Sequence, residues 1–273
     1  MPKKIAVLGC GWLGFPLAKS FVKKGYQVNG ATTSVDKIMN IAQHKINPFL
    51  LAVHQKHIEG NISYFLQDID VLVVNIPPRI RSNSNANYVG KIKTLTRKIV
   101  DCNVKKVVFV SSTSVYSNKD GEVTEQTPTN PDTESGKQVL ASEEILRNNA
   151  DFETTIIRFG GLYGEDRHPV NMLSGRKNLT NPEAPVNLIH LDDCIEIINN
   201  IITQEIWGKT FNAAAPYHPT KENYYTEQAL KLGITPPQYE KSNGDKGKTV
   251  NSINLDRYLG YKFIHPKLDY KAR

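Results

Sequence analysis

No run of about 18 consecutive apolar residues occurs in this chain of 273 residues, so no segment reads as a membrane-crossing helix. The first residues carry Lys3 and Lys4 and then a short apolar stretch, without the longer apolar region and small-residue cleavage site of a signal peptide. A cytoplasmic protein is expected. Cysteine is scarce: Cys10, Cys102 and Cys194 are far apart and odd in number, which excludes a disulfide framework and a cysteine metal cluster, and no metal site is expected. A long basic block is also missing. The net charge of +7 comes from lysines interleaved with acids, which reads as a solvated surface with some attraction for an anionic cofactor. Nucleic acid and membrane are therefore not expected as partners. There is no internal repeat and no low-complexity segment.

What is present begins at Lys4-Ile5-Ala6-Val7-Leu8, a mostly apolar run that reads as a buried parallel strand. Gly9-Cys10-Gly11-Trp12-Leu13-Gly14 follows at G-x-G-x-x-G spacing, and Phe15 to Lys24 reads as a helix. Gly9 permits the tight turn off the strand, Gly11 admits a pyrophosphate to the backbone, and Gly14 lets helix and strand pack closely. The helix N-terminus then offers N–H groups and partial positive charge to phosphates. In that context the triplet reads as a dinucleotide site. Cys10 beside it is more simply packing than a reactive thiol.

Gly25 ends this helix and Tyr26 to Ala31 reads as a second strand. At its end an NAD-preferring site usually carries an acid for the ribose 2′-OH. Here the run is Ala31-Thr32-Thr33-Ser34, with Asp36 and Lys37 later, which suits a 2′-phosphate better and favours NADP over NAD. Ser34 also reads as the cap of the next helix. Further strands are expected at Pro48–Val53, Asp70–Ile76, Val104–Val110, Phe152–Phe159 and Lys209–Ala213. Helices are expected at Ser84–Asp101, at Gly136–Asn148, from an opening at Leu188-Ile189-His190 with Asp192 and Asp193 to Glu205, and at Thr220–Leu232. Alternating strands and helices imply a doubly wound parallel α/β sheet of order 3-2-1-4-5-6, with every strand end on one side. Pro77-Pro78 stops the fourth strand at that ligand-binding edge.

The four stretches Gly9–Gly14, Ser111-Ser112-Thr113-Ser114-Val115-Tyr116, Arg158-Phe159-Gly160-Gly161-Leu162-Tyr163-Gly164 and Asn187-Leu188-Ile189-His190-Leu191-Asp192-Asp193 resemble, in that order, the extended short-chain dehydrogenase/reductase superfamily, the group of nucleotide-sugar epimerases and dehydratases. The resemblance implies a Rossmann domain over residues 1–160, completed by 187–215, and a small substrate lobe from 161–186 and 216–273. It implies NAD(P) held at Gly9, Gly11, Trp12, Leu13, Gly14, Thr32, Thr33, Ser34, Asn75, Ile76, Pro77 and Ser111, a small-molecule substrate, and a monomer or homodimer. Ser112 falls where the family has its active-site Ser or Thr.

The family's acid/base unit is Tyr-x-x-x-Lys on the helix after the fifth strand. Aligning Gly136 and Glu143 puts Ser135 at the tyrosine position and Val139 at the lysine position, and no tyrosine lies between Tyr116 and Tyr163. Such departures mark atypical members of the superfamily. A phenol of pKa about 10 needs a nearby cation to ionise, so losing both groups argues against ordinary hydride-transfer turnover. Ser112, Tyr116 and Tyr163 remain as catalytic candidates. Tyr116 also reads as packing, His190 as a structural hydrogen-bonding residue, and Asp132 and Glu134 as helix caps that double as candidate bases. Gly161 stands where many members hold substrate with an Asn. Two readings follow: an NAD(P)-dependent epimerase/dehydratase-like enzyme with a rearranged acid/base, or a non-catalytic dinucleotide-binding sensor.

Overall fold

Strand β1 (Lys4–Leu8) is buried from its second residue to its last because sheet neighbours flank it on both edges and helices cover both faces. The computed structural model describes residues 3–78, 87–118, 121–240, 247–268 and 270. On one side of β1 lie β2 (Gln27–Thr32) and β3 (Asn47–Leu50). On the other lie β4 (Val71–Val74), β5 (Lys106–Ser112), β6 (Glu153–Phe159) and β7 (Thr210–Ala213). All seven are parallel, in the order β3-β2-β1-β4-β5-β6-β7. The expected order 3-2-1-4-5-6 is found, with a seventh strand beside the sixth.

Successive strand residues face opposite sides. Ala6, Leu8, Leu72 and Val74 join one apolar core with Tyr88, Ile92, Leu95 and Ile99 of α4 (Tyr88–Asp101) and with Val139 and Leu146 of α5 (Glu134–Arg147). Ile5, Val7, Val71 and Val73 join the other. That core includes Leu17 and Phe21 of α1 (Gly14–Lys23), Ile197, Ile198, Ile201 and Ile202 of α7 (Leu191–Thr203), and Leu255 and Leu259 of α9 (Ile253–Leu259). Burial of both faces explains why the central strands read as continuous apolar runs.

The remaining helices are α2 (Lys37–Gln43), α3 (Ile62–Phe65), α6 (Pro169–Leu173) and α8 (Lys221–Lys231). A third apolar cluster gathers Tyr163, Val170, Val186, Leu188, Tyr224, Tyr225 and Leu268 around α6 and α8. Beside it a short parallel pair joins Gly161–Tyr163 to Leu188–His190, and another joins Gly121–Val123 to Lys248–Val250. Both pairs are absent from the sequence reading, since three-residue strands pairing over long separations carry no local periodicity.

Several elements differ in extent from expectation: the fourth strand ends at Val74, before Pro77-Pro78 is reached, and two others differ more. The third strand stops at Leu50, and Ala52–Val53 turns into an antiparallel hairpin with Ile58–Glu59, closed by the His54 N–H to His57 C=O bond of 2.9 Å. The helix expected from Ser84 begins at Tyr88, where the Asn87 side chain accepts from Gly90 N–H; residues 84–86 lie outside the described residues. Among the described residues no helix is long and apolar enough to cross a membrane.

Candidate dinucleotide and substrate site

The chain leaves β1 and β4 in opposite directions across the sheet, and the crevice beyond their carboxyl ends is where a doubly wound sheet admits a ligand. The glycine turn closes that crevice. Gly9 takes φ +111°, and a Cβ there would lie 2.5 Å from the Asn75 carbonyl oxygen. A Cβ on Gly14 would lie 2.1 Å from the Gly9 carbonyl oxygen, whereas one on Gly11 would meet nothing within 4 Å. Two glycines are therefore required by packing and the third faces open space. The Asn75 side-chain amide donates to the Gly9 carbonyl at 3.0 Å and ties the turn to the end of β4. Leu13, at the N-cap of α1, gives no side-chain cap, and the first turn carries no acid. That leaves helix N–H groups and partial positive charge for an anion. These features fit a dinucleotide pyrophosphate.

Two cavities share Asn75, Ile76 and Pro77 as a common wall. The first, of about 430 Å³, is lined by Gly9, Gly11, Thr32, Thr33, Ser34, Lys37, His54 and Lys91. Thr32 Oγ1 accepts from the Ser34 N–H at 3.2 Å, which shapes this end. Ser34 does not cap α2: that helix starts after Asp36, without a side-chain cap. Cys10 also lines the cavity, but burial pushes its thiol up to about 12, so it stays protonated.

The second cavity, of about 510 Å³, runs from Pro78 past Ser111, Ser112 and Ser114 to Thr133, Ser135 and Val139, and is bordered by Gly160, Leu162 and Arg167. Ser112 ends β5, and its Oγ accepts from the Ser114 N–H at 3.1 Å. Its own proton is left to donate to a ligand oxygen. Ser135 and Val139 lie one helical turn apart on α5 and line the same cavity beside Ser112. Tyr88 also lines it, with its hydroxyl donating to the Ile76 carbonyl at 3.0 Å and burial pushing its pKa up.

Of the other candidates, Ser111 borders the second cavity but its hydroxyl is engaged inward, and Tyr116 and Tyr163 line neither cavity. Ser111 Oγ donates to buried Glu143, which also holds the Arg158 guanidinium at 2.6 Å. The Tyr116 hydroxyl accepts from Arg158 Nη1 at 2.7 Å and donates to Asn212 Oδ1 at 2.9 Å, so it is engaged in the core rather than on the cavity wall. Burial raises its pKa, outweighing the opposing pull of Arg158. Tyr163 is fully buried, edge-on to His168 and His190 at ring distances of 5.5 and 5.0 Å. His190 caps α7, its Nδ1 accepting from the Asp192 N–H at 3.2 Å. Thr133, rather than Asp132 or Glu134, caps α5 by accepting from the Gly136 N–H at 3.0 Å. Trp12, Leu13 and Gly14 line neither cavity, and Leu13 and Gly14 form the N-terminus of α1. Trp12 Nε1 donates to Asp166 Oδ1 at 2.7 Å, across 154 positions of chain. This clasp and the neighbouring Arg167 left no signal in the sequence reading.

A family model described as "NAD dependent epimerase/dehydratase family" matches residues 5–214. The chain is 34% identical over 266 residues, 97% of both chains, to a protein of Escherichia coli K12 called Protein YeeZ. Its fold superposes on a UDP-glucuronic acid 4-epimerase from Bacillus cereus, solved with UDP-glucuronic acid and NAD. The TM-score is 0.78 at 19% identity, over 95% of this chain and 93% of that one. It likewise superposes on DesIV, a dTDP-glucose 4,6-dehydratase from Streptomyces venezuelae solved with NAD and TYD bound, with a TM-score of 0.78 at 18% identity over 96% and 92% of the chains.

Proposed function

Because the chain belongs to the NAD dependent epimerase/dehydratase family, we propose that it binds NAD(P) along the trough formed by its two cavities and acts there as an epimerase/dehydratase-like oxidoreductase. The observation that carries this reading is that both cavities border on Asn75, Ile76 and Pro77 at the carboxyl end of β4. Gly11 and the uncapped N-terminus of α1 would hold the pyrophosphate, Thr33, Ser34 and Lys37 the adenosine ribose end, and Asn75 to Pro77 the path toward Ser112. A bound nicotinamide would supply hydride exchange. NAD is carried over from the epimerase and dehydratase structures, while the hydroxyls and Lys37 after β2 favour NADP.

In this reading Ser112 orients a substrate oxygen by donating its proton, and residues 161–186 and 216–240, gathered around α6 and α8, form the lobe beside the substrate, whereas α9 packs on the sheet rather than in that lobe. Ser135 and Val139 supply neither a phenol nor an amine, so proton transfer would fall to water or to the substrate itself. That observation favours a second reading, dinucleotide binding without turnover. Calorimetric titration with NAD+ and NADP+, with mass spectrometry of nucleotide released from purified protein, tests the common core of both. Dissociation constants in the micromolar range are expected, and the absence of saturable binding of either nucleotide would overturn them.

A further inference from the structure

Among the described residues that line the cavity containing Ser112, one side chain is charged, Arg167, and none is a carboxylate. Arg167 is exposed, and its backbone is fixed by hydrogen bonds. It closes a tight turn in which Gly164 N–H donates to the Arg167 carbonyl at 2.8 Å and Arg167 N–H donates to the Gly164 carbonyl at 3.0 Å. Its guanidinium lies 5.0 Å from the centre of the Trp12 ring, and that indole is fixed by its bond to Asp166. Among the described residues no acid pairs with it. A guanidinium stacked on an aromatic face keeps its edge N–H donors available, and their fork matches a carboxylate or phosphate.

Gly161, between the lining residues Gly160 and Leu162, has no side chain, and a Cβ there would meet the end of the Leu188 side chain at 2.6 Å. The position from which many superfamily members hold a nucleotide sugar with an Asn therefore offers no side-chain amide. The rest of the wall offers the hydroxyls of Ser112, Ser114, Thr133 and Ser135, which pair with hydroxyl and carbonyl oxygens.

We propose that the site takes a compact polyhydroxy or hydroxycarbonyl compound bearing one oxyanion group, seated on Arg167, with its reacting oxygen at Ser112, and not a nucleoside-diphosphate sugar. The inference rests on the reading of the trough as a dinucleotide and substrate site.

The test is calorimetric titration of the NAD+-loaded protein with glucose 6-phosphate, glucuronate, glucose and UDP-glucose, on the unmodified chain and on Arg167→Gln and Arg167→Lys. At least one of the two compact anions should bind about tenfold or more tightly than glucose, and which one identifies the oxyanion as phosphate or carboxylate. Arg167→Gln should weaken that binding about tenfold, Arg167→Lys should fall between, and NAD+ affinity should stay within about threefold, as expected when one charge-assisted forked contact is lost. The proposal is overturned if neither anion outbinds glucose, if anion binding survives in Arg167→Gln, or if UDP-glucose binds most tightly. A matching loss of NAD+ affinity in Arg167→Gln would place the guanidinium on the cofactor pyrophosphate and also overturn it. Failure of the unmodified chain to bind either dinucleotide would instead refute the parent reading, and the same titrations without cofactor would then test Arg167 alone.

Discussion

Replacing Tyr116 by phenylalanine separates a structural from a catalytic role for a residue that sequence alone left undecided. The substitution removes one oxygen and keeps the ring, which is buried and stacks with the Arg158 guanidinium at 5.1 Å. Two hydrogen bonds disappear, the 2.7 Å bond from Arg158 and the 2.9 Å bond to Asn212. A bond to a charged group contributes about 1.5–3 kcal/mol and a neutral one about 0.5–1.5 kcal/mol. Arg158 keeps Glu143, which softens the loss, while Asn212 Oδ1 loses the Tyr116 donor inside the core. A destabilisation of about 2–3 kcal/mol follows, which at roughly 2–3 °C per kcal/mol for a chain of this size lowers the melting temperature by about 4–9 °C. Thermal unfolding followed by circular dichroism, with NAD+ titration of the folded variant, measures both sides. NAD+ affinity should be unchanged. A melting temperature within about 1 °C of the parent would refute the reasoning.

Gly14→Ala should weaken NAD+ binding by at least about tenfold in calorimetry, because its methyl would sit 2.1 Å from the Gly9 carbonyl and the turn must move; unchanged affinity would contradict the close-packing argument. The parent chain should bind NADP+ at least as tightly as NAD+, and Lys37→Ala should weaken NADP+ about three- to tenfold while sparing NAD+, a comparison that a tenfold NAD+ preference in the parent would decide the other way. His168 is buried and held down at about 4 while its unfolded value is near 6.5. The unfolded chain therefore binds the extra proton first, and stability present above pH 6.5 is lost as pH falls toward 4, by about 3 kcal/mol at the lower end. His168→Asn, which keeps an acceptor for the Val170 N–H, should flatten that part of the urea-denaturation profile against pH.

The glycine turn, its flanking strand and helix, and the order of the sheet were legible because each depends on neighbours close in sequence or on a handedness rule. Gly9, Gly11 and Gly14 differ in their surroundings, and their spacing alone distinguishes turn, open face and packing contact. The position of Ser112 was legible too, since the end of a strand fixes it. The surroundings of Tyr116 were not. Its partners Arg158 and Asn212 lie on other strands, and only the register of β5, β6 and β7 brings them together. Asp132 and Glu134 flank the residue that actually caps α5, so composition pointed to the right turn of chain and the wrong oxygen. The clasp from Trp12 to Asp166 and Arg167 joins residues whose local sequences carry no mutual signal.

That clasp makes the glycine turn and the rim of the second cavity one mechanical part, since Trp12 is anchored on Asp166 and covered by Arg167. Thermodynamic linkage gives this a consequence for occupancy. Whatever free energy the indole transmits from a nucleotide on the turn to a ligand at the rim, it transmits equally in return. The two ligands must alter each other's affinity by the same factor, and cutting the Trp12–Asp166 bond should remove the share carried by the indole equally from both sides.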